Sequence, residues 1–253
     1  MFELNLEGHL AWITGSSRGI GSQIVLACAK AGADVVICYN KSKTEAEQIA
    51  NSVETEYKRK ALLVELDTTQ EESCSSAYER IQSSFNRSPD ILVNCAGITR
   101  DNLFLMTPSS DWEDILKVNL MGYVNTTRLV LQDMAYNRWG RVINISSVAA
   151  TKGGRGQANY AASKGAVEAM SRSLACEVAK QGIRVNCIAP GVVDTKMSKE
   201  VRSLASDEIL KRQLVKRFAT CEEIAAWVVM LCSDYGDFVT GTTIHIDGGL
   251  KMP

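Results

Sequence analysis

Two residues one helical turn apart have the chemistry to hold and release a proton. The stretch QANYAASKGAVEAMSRSLACEV, residues 157–178, carries Tyr160 and Lys164 among alanines, serines and a glycine. Side chains at positions i and i+4 of a helix are neighbours, so the ammonium is expected beside the phenol. A nearby cation favours the phenolate and should lower the pKa of Tyr160 from its usual value of about 10. The same spacing is also typical of solvated surface pairs, so the pair alone leaves both interpretations open.

A glycine-rich turn near the start of the chain has the spacing of a phosphate-binding loop. The segment LAWITGSSRGIGSQIV, residues 10–25, predicts an apolar strand, a turn and a helix. Glycines let the backbone approach a pyrophosphate, and the helix N-terminus supplies amide donors and a favourable dipole. We therefore predict dinucleotide binding by this turn. Its candidate cofactor-binding residues are Gly15, Ser17, Arg18, Gly19, Ile20 and Gly21.

The end of the second predicted strand favours NADP(H) over NAD(H). An acidic residue there would bind the ribose 2′-hydroxyl of NAD. The sequence VVICYNKSK, residues 35–43, has Asn40 and Lys41 instead, and Arg18 adds a second cation. Two cations without a repelling carboxylate suit a 2′-phosphate. The alternative is that Lys41 simply begins a solvated helix.

The elements that must position these residues alternate along the whole chain. Short apolar β-branched runs are separated by longer amphipathic stretches, which predicts an α/β fold: a Rossmann-like, doubly wound, parallel seven-stranded sheet with helices on both faces. No linker or low-complexity run is present, so residues 1–253 are expected to form one domain. The charged segment 194–220 interrupts the alternation and is predicted to be a helical insertion, either a substrate lid or a decoration. The predicted strands are 10–14, 34–39, 61–66, 90–96, 141–146, 183–189 and 242–247, and the predicted helices 19–31, 43–57, 71–86, 111–137, 158–180 and 221–232.

Composition narrows the class of protein. A net charge of −1 gives no general attraction to nucleic acid or acidic membranes. No apolar run approaches the roughly 20 residues of a membrane helix, and the first residues do not resemble a signal peptide. Eight cysteines without a C-x-x-C pair indicate reduced thiols in a cytoplasmic protein. Only two histidines disfavour a Ser-His-Asp triad, and we expect no metal site.

Six further motifs appear in a fixed order after the glycine turn. They are NCAG (94–97), KVNLMG (117–122), INISS (143–147), NYAASK (159–164), APG (189–191) and IDGG (246–249). With these motifs the chain resembles the short-chain dehydrogenase/reductase family over essentially its whole length. The segments 97–106 and 156–186 are most similar to the subfamily of 3-oxoacyl-[acyl carrier protein] reductases. The resemblance implies NADPH-dependent reduction of a 3-oxoacyl thioester in fatty acid biosynthesis, and a homotetramer that packs helices 111–137 and 158–180 across a two-fold axis.

The resemblance also implies a role for each residue that matches a motif. The catalytic residues would be Asn119, Ser147, Tyr160 and Lys164, with Tyr160 as the acid, Ser147 as a donor to the substrate oxygen and Asn119 as a kink and water site in its helix. Tyr160 and Lys164 would also contact the cofactor. The other implied cofactor residues are Asp67, Thr68, Asn94, Ala96, Gly97, Pro190, Gly191, Val193 and Thr195. Residues Phe104, Leu105, Met106 and Met197 are candidates for an acyl pocket, or for ordinary core.

The chain departs from the family pattern at the carboxyl end of the insertion and at the residues that dock the carrier protein. The segment KRFATCEEIA, residues 216–225, lacks the glycine and proline usual before that helix. Of the two arginines with which the family docks its acidic carrier, Arg138 matches the first, but Gln181 stands at the second with Lys180 beside it. The alternatives are therefore reduction of acetoacetyl-CoA, a polyketide intermediate, a steroid or another small ketone, or a nucleotide-binding subunit without catalysis.

Overall fold

Seven parallel strands form a doubly wound sheet, as the sequence predicts, and their order in it is β3-β2-β1-β4-β5-β6-β7. This computed structural model describes residues 4–196 and 198–251, without the side chains of residues 199–205, so Met197 lies outside the described residues. Every residue of β1, β4 and β5 is buried, because helices cover both faces of the sheet. The strands are β1 (Leu10–Ile13), β2 (Asp34–Tyr39), β3 (Ala61–Glu65), β4 (Ile91–Asn94), β5 (Gly140–Ile145), β6 (Ile183–Pro190) and β7 (Thr243–Ile246).

The helices lie in two layers, one on each face of the sheet. Helices α1, α2 and α9 pack on one apolar cluster, and α3, α5 and α7 pack on the other. The helices are α1 (Gly19–Lys30), α2 (Lys43–Glu56), α3 (Glu71–Phe85), α4 (Ser109–Leu116), α5 (Gly122–Asn137), α6 (Ala149–Lys152), α7 (Ala158–Val178), α8 (Lys199–Arg212) and α9 (Cys221–Cys232). In residues 4–196 and 198–251, no helix has the length and apolar character needed to cross a membrane.

The strand order reverses beside β1, which lies between β2 and β4. Loops that follow β1 and β4 therefore diverge to opposite sides, and a crevice opens at the carboxyl edge of the sheet. The glycine turn follows β1, Ser147 follows β5, and Gly191 follows β6. The topology thus brings the separate sequence motifs to one edge.

The predicted helix 111–137 differs in detail from the observed one. It is interrupted by a π-helical turn at Lys117–Met121, which separates α4 from α5 and contains Asn119. Such a turn re-routes the backbone hydrogen bonds and bends a helix, and it is frequent at functional sites. The resemblance implied a kink at Asn119, and this π-helical turn is the irregularity that the structure has there. The short helix α6 was not predicted.

Candidate active site

A cleft of about 1120 Å³ occupies the carboxyl edge of the sheet. Its walls contain most of the residues that the sequence selected, from both the cofactor set and the catalytic set. Those lining it are Gly15, Ser17, Arg18, Gly19, Ile20, Gly21, Asn40, Lys41, Asp67, Thr68, Ala96, Gly97, Ser147, Tyr160, Lys164, Pro190, Gly191, Val193 and Thr195.

The glycine turn has a shape that only glycine permits. Gly15 has a φ of 62°, and a Cβ on it would lie 2.6 Å from the Cα of Ala96. A Cβ on Gly21 would lie 2.4 Å from the carbonyl oxygen of Gly15. The first turn of α1 carries no acidic residue, so its amides and its dipole are available to an anion. The turn therefore fits the pyrophosphate of a dinucleotide.

The residues next to this turn suit a further phosphate. Arg18, Asn40 and Lys41 are exposed and line the cleft. Neither cation forms an ion pair with a residue that the structure describes. Helix α2 begins at Lys43, so Lys41 lies in the turn before the helix rather than within it. Asp67 also lines the cleft, and its carboxylate accepts hydrogen bonds from the backbone nitrogen and the hydroxyl of Thr69.

Lys164 lines the cleft although it is only 3% exposed. Its Nζ donates to the carbonyl oxygen of Ile145 at 2.8 Å and to the hydroxyl of Tyr123 at 3.2 Å. The same nitrogen lies 5.9 Å from the ring centroid of Tyr160. Burial lowers the pKa of Lys164 from 10.5 to about 8. A Cβ on the neighbouring Gly97 would lie 3.3 Å from Oδ1 of Asn119, a tighter contact than most side chains make.

The pKa of Tyr160 moves in the direction opposite to the one expected from the sequence. Burial raises it from 10 to about 12, and a hydrogen bond with Ser147 opposes this rise. The expected net lowering of the Tyr160 pKa is therefore wrong. The physical reason is that burial disfavours the phenolate more strongly than the Lys164 ammonium, which lies 5.9 Å from the ring and is held by Tyr123 and Ile145, favours it. Tyr160 is therefore protonated at neutral pH.

Tyr123 is a site residue that the sequence analysis did not select. It is 1% exposed, and its hydroxyl both accepts from Lys164 and donates to the carbonyl oxygen of Ile145 at 3.1 Å. Tyr123 follows Asn119 by one helical turn and so shares its face. The four-residue spacing from Asn119 is the signal in the sequence that could have identified Tyr123 as a site residue.

Two selected asparagines do not line the cleft. Asn119 is fully buried: its Oδ1 accepts from the Ile98 nitrogen at 2.9 Å, and its Nδ2 donates to the Ile98 oxygen and to Ser163. Asn94, expected at the cofactor, is also fully buried and bonds Asn144, Thr126 and Thr127. Because Asn94 belongs to β4 itself, its side chain connects the sheet to α5 instead of facing a ligand. Both residues therefore stabilise the elements around the cleft without lining it.

The insertion 194–220 leaves the sheet and returns to the same place. Val193 and Ala219 form a parallel bridge, and the Asp194 nitrogen donates to the Ala219 oxygen at 2.9 Å. Between these ends, α8 places Glu208, Ile209 and Arg212 on the cleft. The predicted helix is therefore present, and its described carboxyl-terminal turn faces the ligand crevice.

A capping box replaces the glycine and proline that the family has before α9. The Thr220 hydroxyl accepts from the Glu223 nitrogen, and the Glu223 carboxylate accepts from the Thr220 nitrogen at 2.9 Å. Arg217 also donates to both carboxylate oxygens of Glu223, at 2.7 and 2.6 Å. These bonds from Arg217 and Thr220 lower the pKa of Glu223 from 4.5 to about 2. The return of the insertion is thus fixed by polar contacts.

The two carrier-docking candidates lie at the other end of the molecule. Arg138 precedes β5, whereas Ser147 follows it, so about 20 Å of strand separates them. The Arg138 guanidinium donates to the carbonyl oxygen of Lys180 at 3.2 Å, which brings the two candidates together. The acyl-pocket candidates Phe104–Met106 are exposed, and none of them lines the cleft. They belong neither to the core nor to this cavity.

Comparison with known proteins agrees with the fold and the site. A family model described as enoyl-(acyl carrier protein) reductase matches residues 15–251. The 3-oxoacyl-[acyl-carrier-protein] reductase of Aquifex aeolicus is 41% identical over 252 residues, covering 98% of this chain and 99% of that protein. The enzyme of the same description from Escherichia coli is 39% identical over 252 residues, covering 98% and 100%.

A solved structure extends the likeness to three dimensions. The gluconate 5-dehydrogenase of Burkholderia cenocepacia, in complex with NADP and tartrate, superposes with a TM-score of 0.94 at 32% identity, covering 99% of this chain and 98% of that one. The match over nearly the whole length confirms the doubly wound fold. This chain belongs to the short-chain dehydrogenase/reductase family and is an oxidoreductase that uses a nicotinamide cofactor.

Proposed function

We propose that this chain reduces 3-oxoacyl thioesters of acyl carrier protein to 3-hydroxyacyl thioesters with NADPH, in fatty acid biosynthesis. The observation that carries the proposal is the meeting of Ser147, Tyr160 and Lys164 at one cleft with the glycine turn. Relatives at about 40% identity over their full length bear the name of this reaction. We also propose that the chain acts in the cytoplasm.

The chain's own residues handle the proton and the charge. Bound NADPH would supply the hydride. Tyr160 holds a proton at neutral pH and donates it to the substrate oxygen as that oxygen gains negative charge. The Ser147 and Tyr160 side chains both line the cleft, so a carbonyl oxygen that contacts both hydroxyls would receive two donors.

Lys164 provides the positive charge below the acid. Its ammonium stabilises negative charge that forms on Tyr160 once the proton has left. Asn119 fixes the position of α7 next to Lys164 through its hydrogen bonds with Ile98 and Ser163. In this proposal, the π-helical turn around Asn119 holds a water that carries protons. A Tyr160→Phe variant should keep NADPH binding, measured by fluorescence titration, and lose turnover by about a hundredfold or more. Near-normal ketone reduction by this variant would exclude Tyr160 as the acid.

The preference for NADPH is assigned to Arg18 and Lys41, with Asn40 in place of an acid. The two cations are free of ion pairs in the described chain and flank the place where a 2′-phosphate is expected. Arg18→Ala should weaken NADPH binding while it leaves NADH binding nearly unchanged. Lys43→Ala is the matched control, because Lys43 is an exposed cation that pairs with Glu47 and does not line the cleft. Equal losses for both cofactors would contradict the assignment.

The acyl carrier is the substrate source to be tested against its alternatives. Turnover of acetoacetyl-carrier protein should exceed that of acetoacetyl-CoA if the carrier itself is recognised. A second candidate is oxidation of a small hydroxy acid, since the solved relative is a gluconate 5-dehydrogenase. Reduction of NADP⁺ with gluconate, in the absence of any thioester reduction, would favour that candidate.

We also propose that residues 1–253 form one domain and that residues 194–220 act as a lid over its substrate cleft. We propose further that the chain forms a homotetramer. The lid is supported by the closed ends at Val193 and Ala219 and by the α8 residues on the cleft. Protection of this segment from proteolysis by NADPH and substrate would support the lid. Light scattering on the purified chain tests the tetramer, and a monomeric mass would contradict it.

A further inference from the structure

A cationic loop on the substrate side of the cleft has no part in the proposed reaction. Helix α6 ends at Lys152, and the sequence GGRGQ, residues 153–157, leads from it to α7. The side chains of Lys152 and Arg155 both line the cleft. Among the residues that the structure describes, neither side chain has an ion-pair or hydrogen-bond partner. Two unpaired cations thus border the cavity.

Two carboxylates besides Asp67 also line the cleft. Glu208 pairs with Arg212 at 2.6 Å, whereas Asp101 accepts only from the neutral side-chain amide of Gln157 at 2.9 Å, which brings no opposing charge. Lys196 is exposed and lines the cleft as well. Three cations, Lys152, Arg155 and Lys196, therefore outnumber the one of these two carboxylates that has no cationic partner in the described chain, and the opening on this side has an excess of positive groups.

The backbone of the loop holds the two cations at the cleft. Gly153 and Gly156 have φ values of 71° and 81°, which other residues rarely adopt. The carbonyl oxygen of Gly156 accepts from the Asn102 nitrogen at 2.9 Å, and Gly154 accepts from the Gln157 nitrogen at 3.2 Å. The loop is thus tied at both of its sides, with Arg155 between the ties.

This loop is separate from the cofactor's phosphate groups. Arg18 and Lys41 follow β1 and β2, whereas Lys152 and Arg155 lie between Ser147 and Tyr160, after β5. Three strand spacings separate β2 from β5 in the sheet, which is about 14 Å. We therefore assign an anion held by this loop to the substrate and not to the cofactor.

We propose that Lys152 and Arg155 form a phosphate subsite for the pantetheine-linked substrate, and this rests on the proposed function. A 3-oxoacyl thioester of either a carrier protein or CoA has phosphate at the far end of the pantetheine arm. With its own side-chain reach, Arg155 can extend on the order of 10–20 Å from the Ser147 hydroxyl, a range comparable to that arm. The thioester carbonyl then lies at Ser147 and Tyr160 while the phosphate lies at the loop, so two points fix the substrate.

Four acetoacetyl thioesters distinguish the contribution of the phosphate to kcat/KM from that of the rest of the substrate. They are the thioesters of pantetheine, 4′-phosphopantetheine, CoA and carrier protein. For the wild type, kcat/KM should be about tenfold higher with phosphopantetheine than with pantetheine, equivalent to about 1.4 kcal/mol. In the Lys152→Ala/Arg155→Ala double variant this ratio should fall close to one, through KM rather than kcat. Arg155→Lys should retain part of the ratio because it keeps the charge.

Lys30→Ala is the matched control, because Lys30 is an exposed cation away from the cleft and should keep the ratio unchanged. A loss in the double variant with phosphopantetheine and carrier protein supports recognition of the arm's own phosphate. A loss with CoA alone, at an unchanged ratio of phosphopantetheine to pantetheine, would overturn this subsite, because the cations would then contact the nucleotide phosphates instead of the arm's phosphate.

A ratio near one in the wild type, or an unchanged ratio in the double variant, overturns the subsite while the ketoreductase function stands. Loss of turnover of free acetoacetate also overturns it, since the cations would then serve a carboxylate. Absence of reduction of every thioester by the wild type would instead overturn the proposed function.

Discussion

Replacing Lys164 by methionine should stabilise the folded protein while it removes the activity. Lys164 is 3% exposed, and burial lowers the pKa of its ammonium from 10.5 to about 8. At neutral pH this difference corresponds to about 3 kcal/mol that opposes folding with the charged group inside. Methionine has a similar length and fills the same space without charge.

The net gain is smaller, because the variant loses two hydrogen bonds, from Nζ to the carbonyl oxygen of Ile145 and to the hydroxyl of Tyr123. The Tyr123 hydroxyl remains as a donor to the Ile145 oxygen at 3.1 Å. Each lost hydrogen bond costs about 1 kcal/mol. The free energy of unfolding should therefore rise by about 1 kcal/mol, which raises Tm by about 2–4 °C for a chain of this size.

The pH dependence of this gain has a definite sign. In the wild type the folded state releases the Lys164 proton near pH 8, whereas the unfolded chain keeps it up to pH 10.5. The unfolded state therefore binds more protons in this window, and wild-type stability rises with pH across it. The variant lacks this contribution. Its advantage over the wild type should be full below pH 8 and shrink toward pH 10.5.

Urea denaturation, followed by tryptophan fluorescence to which the buried Trp12 contributes, measures the effect at both ends of that window. Lys30→Met is the control, because Lys30 is exposed and its replacement should change stability little. A Lys164→Met protein that is less stable than the wild type at neutral pH would refute the reasoning. So would a stability difference that does not depend on pH.

Two further predictions concern residues near the site. Tyr123→Phe removes an acceptor from the Lys164 ammonium, so the pKa of Lys164 should fall further and the alkaline limb of the kcat/KM pH profile should move to lower pH. Tyr136→Phe, at an exposed tyrosine, is its control, and an unmoved limb would speak against the contact. Thr220→Ala removes the capping box of α9 and should lower the free energy of unfolding by about 0.5–2 kcal/mol in urea titrations. Thr220→Ser should restore it, and an unchanged stability in the alanine variant would show that the cap contributes nothing.

The fold could be predicted because its signals are local and repeated. Each strand is a short apolar run between amphipathic stretches, and the glycine turn stands between the first strand and the first helix. The order of motifs then placed Ser147 and Tyr160 in one site. Residues at the ends of parallel strands share an edge, so their position follows from the topology alone.

Features that depend on packing could not be predicted in the same way. The direction of the Tyr160 pKa follows from burial and from the partners that hold Lys164, and neither is a property of the Y-x-x-x-K spacing. The burial of Asn94 depends on Thr126 and Asn144, which are distant in the chain. The exposure of Phe104–Met106 depends on what the neighbouring loops leave uncovered. Apolar residue type alone does not determine it.

The bridge between Val193 and Ala219 makes the segment between them interchangeable in principle. The chain leaves and re-enters at one hydrogen-bonded point, and Leu214 and Val215 near the end of the excursion also donate to the carbonyl oxygen of Gly248. Exchange of the part before Leu214 therefore leaves both attachments to the rest of the fold in place. The entropic cost of closing such a loop rises only slowly with its length. Substrate range can therefore diverge by exchange of this one segment, while the proton-transfer machinery on α7 is inherited unchanged.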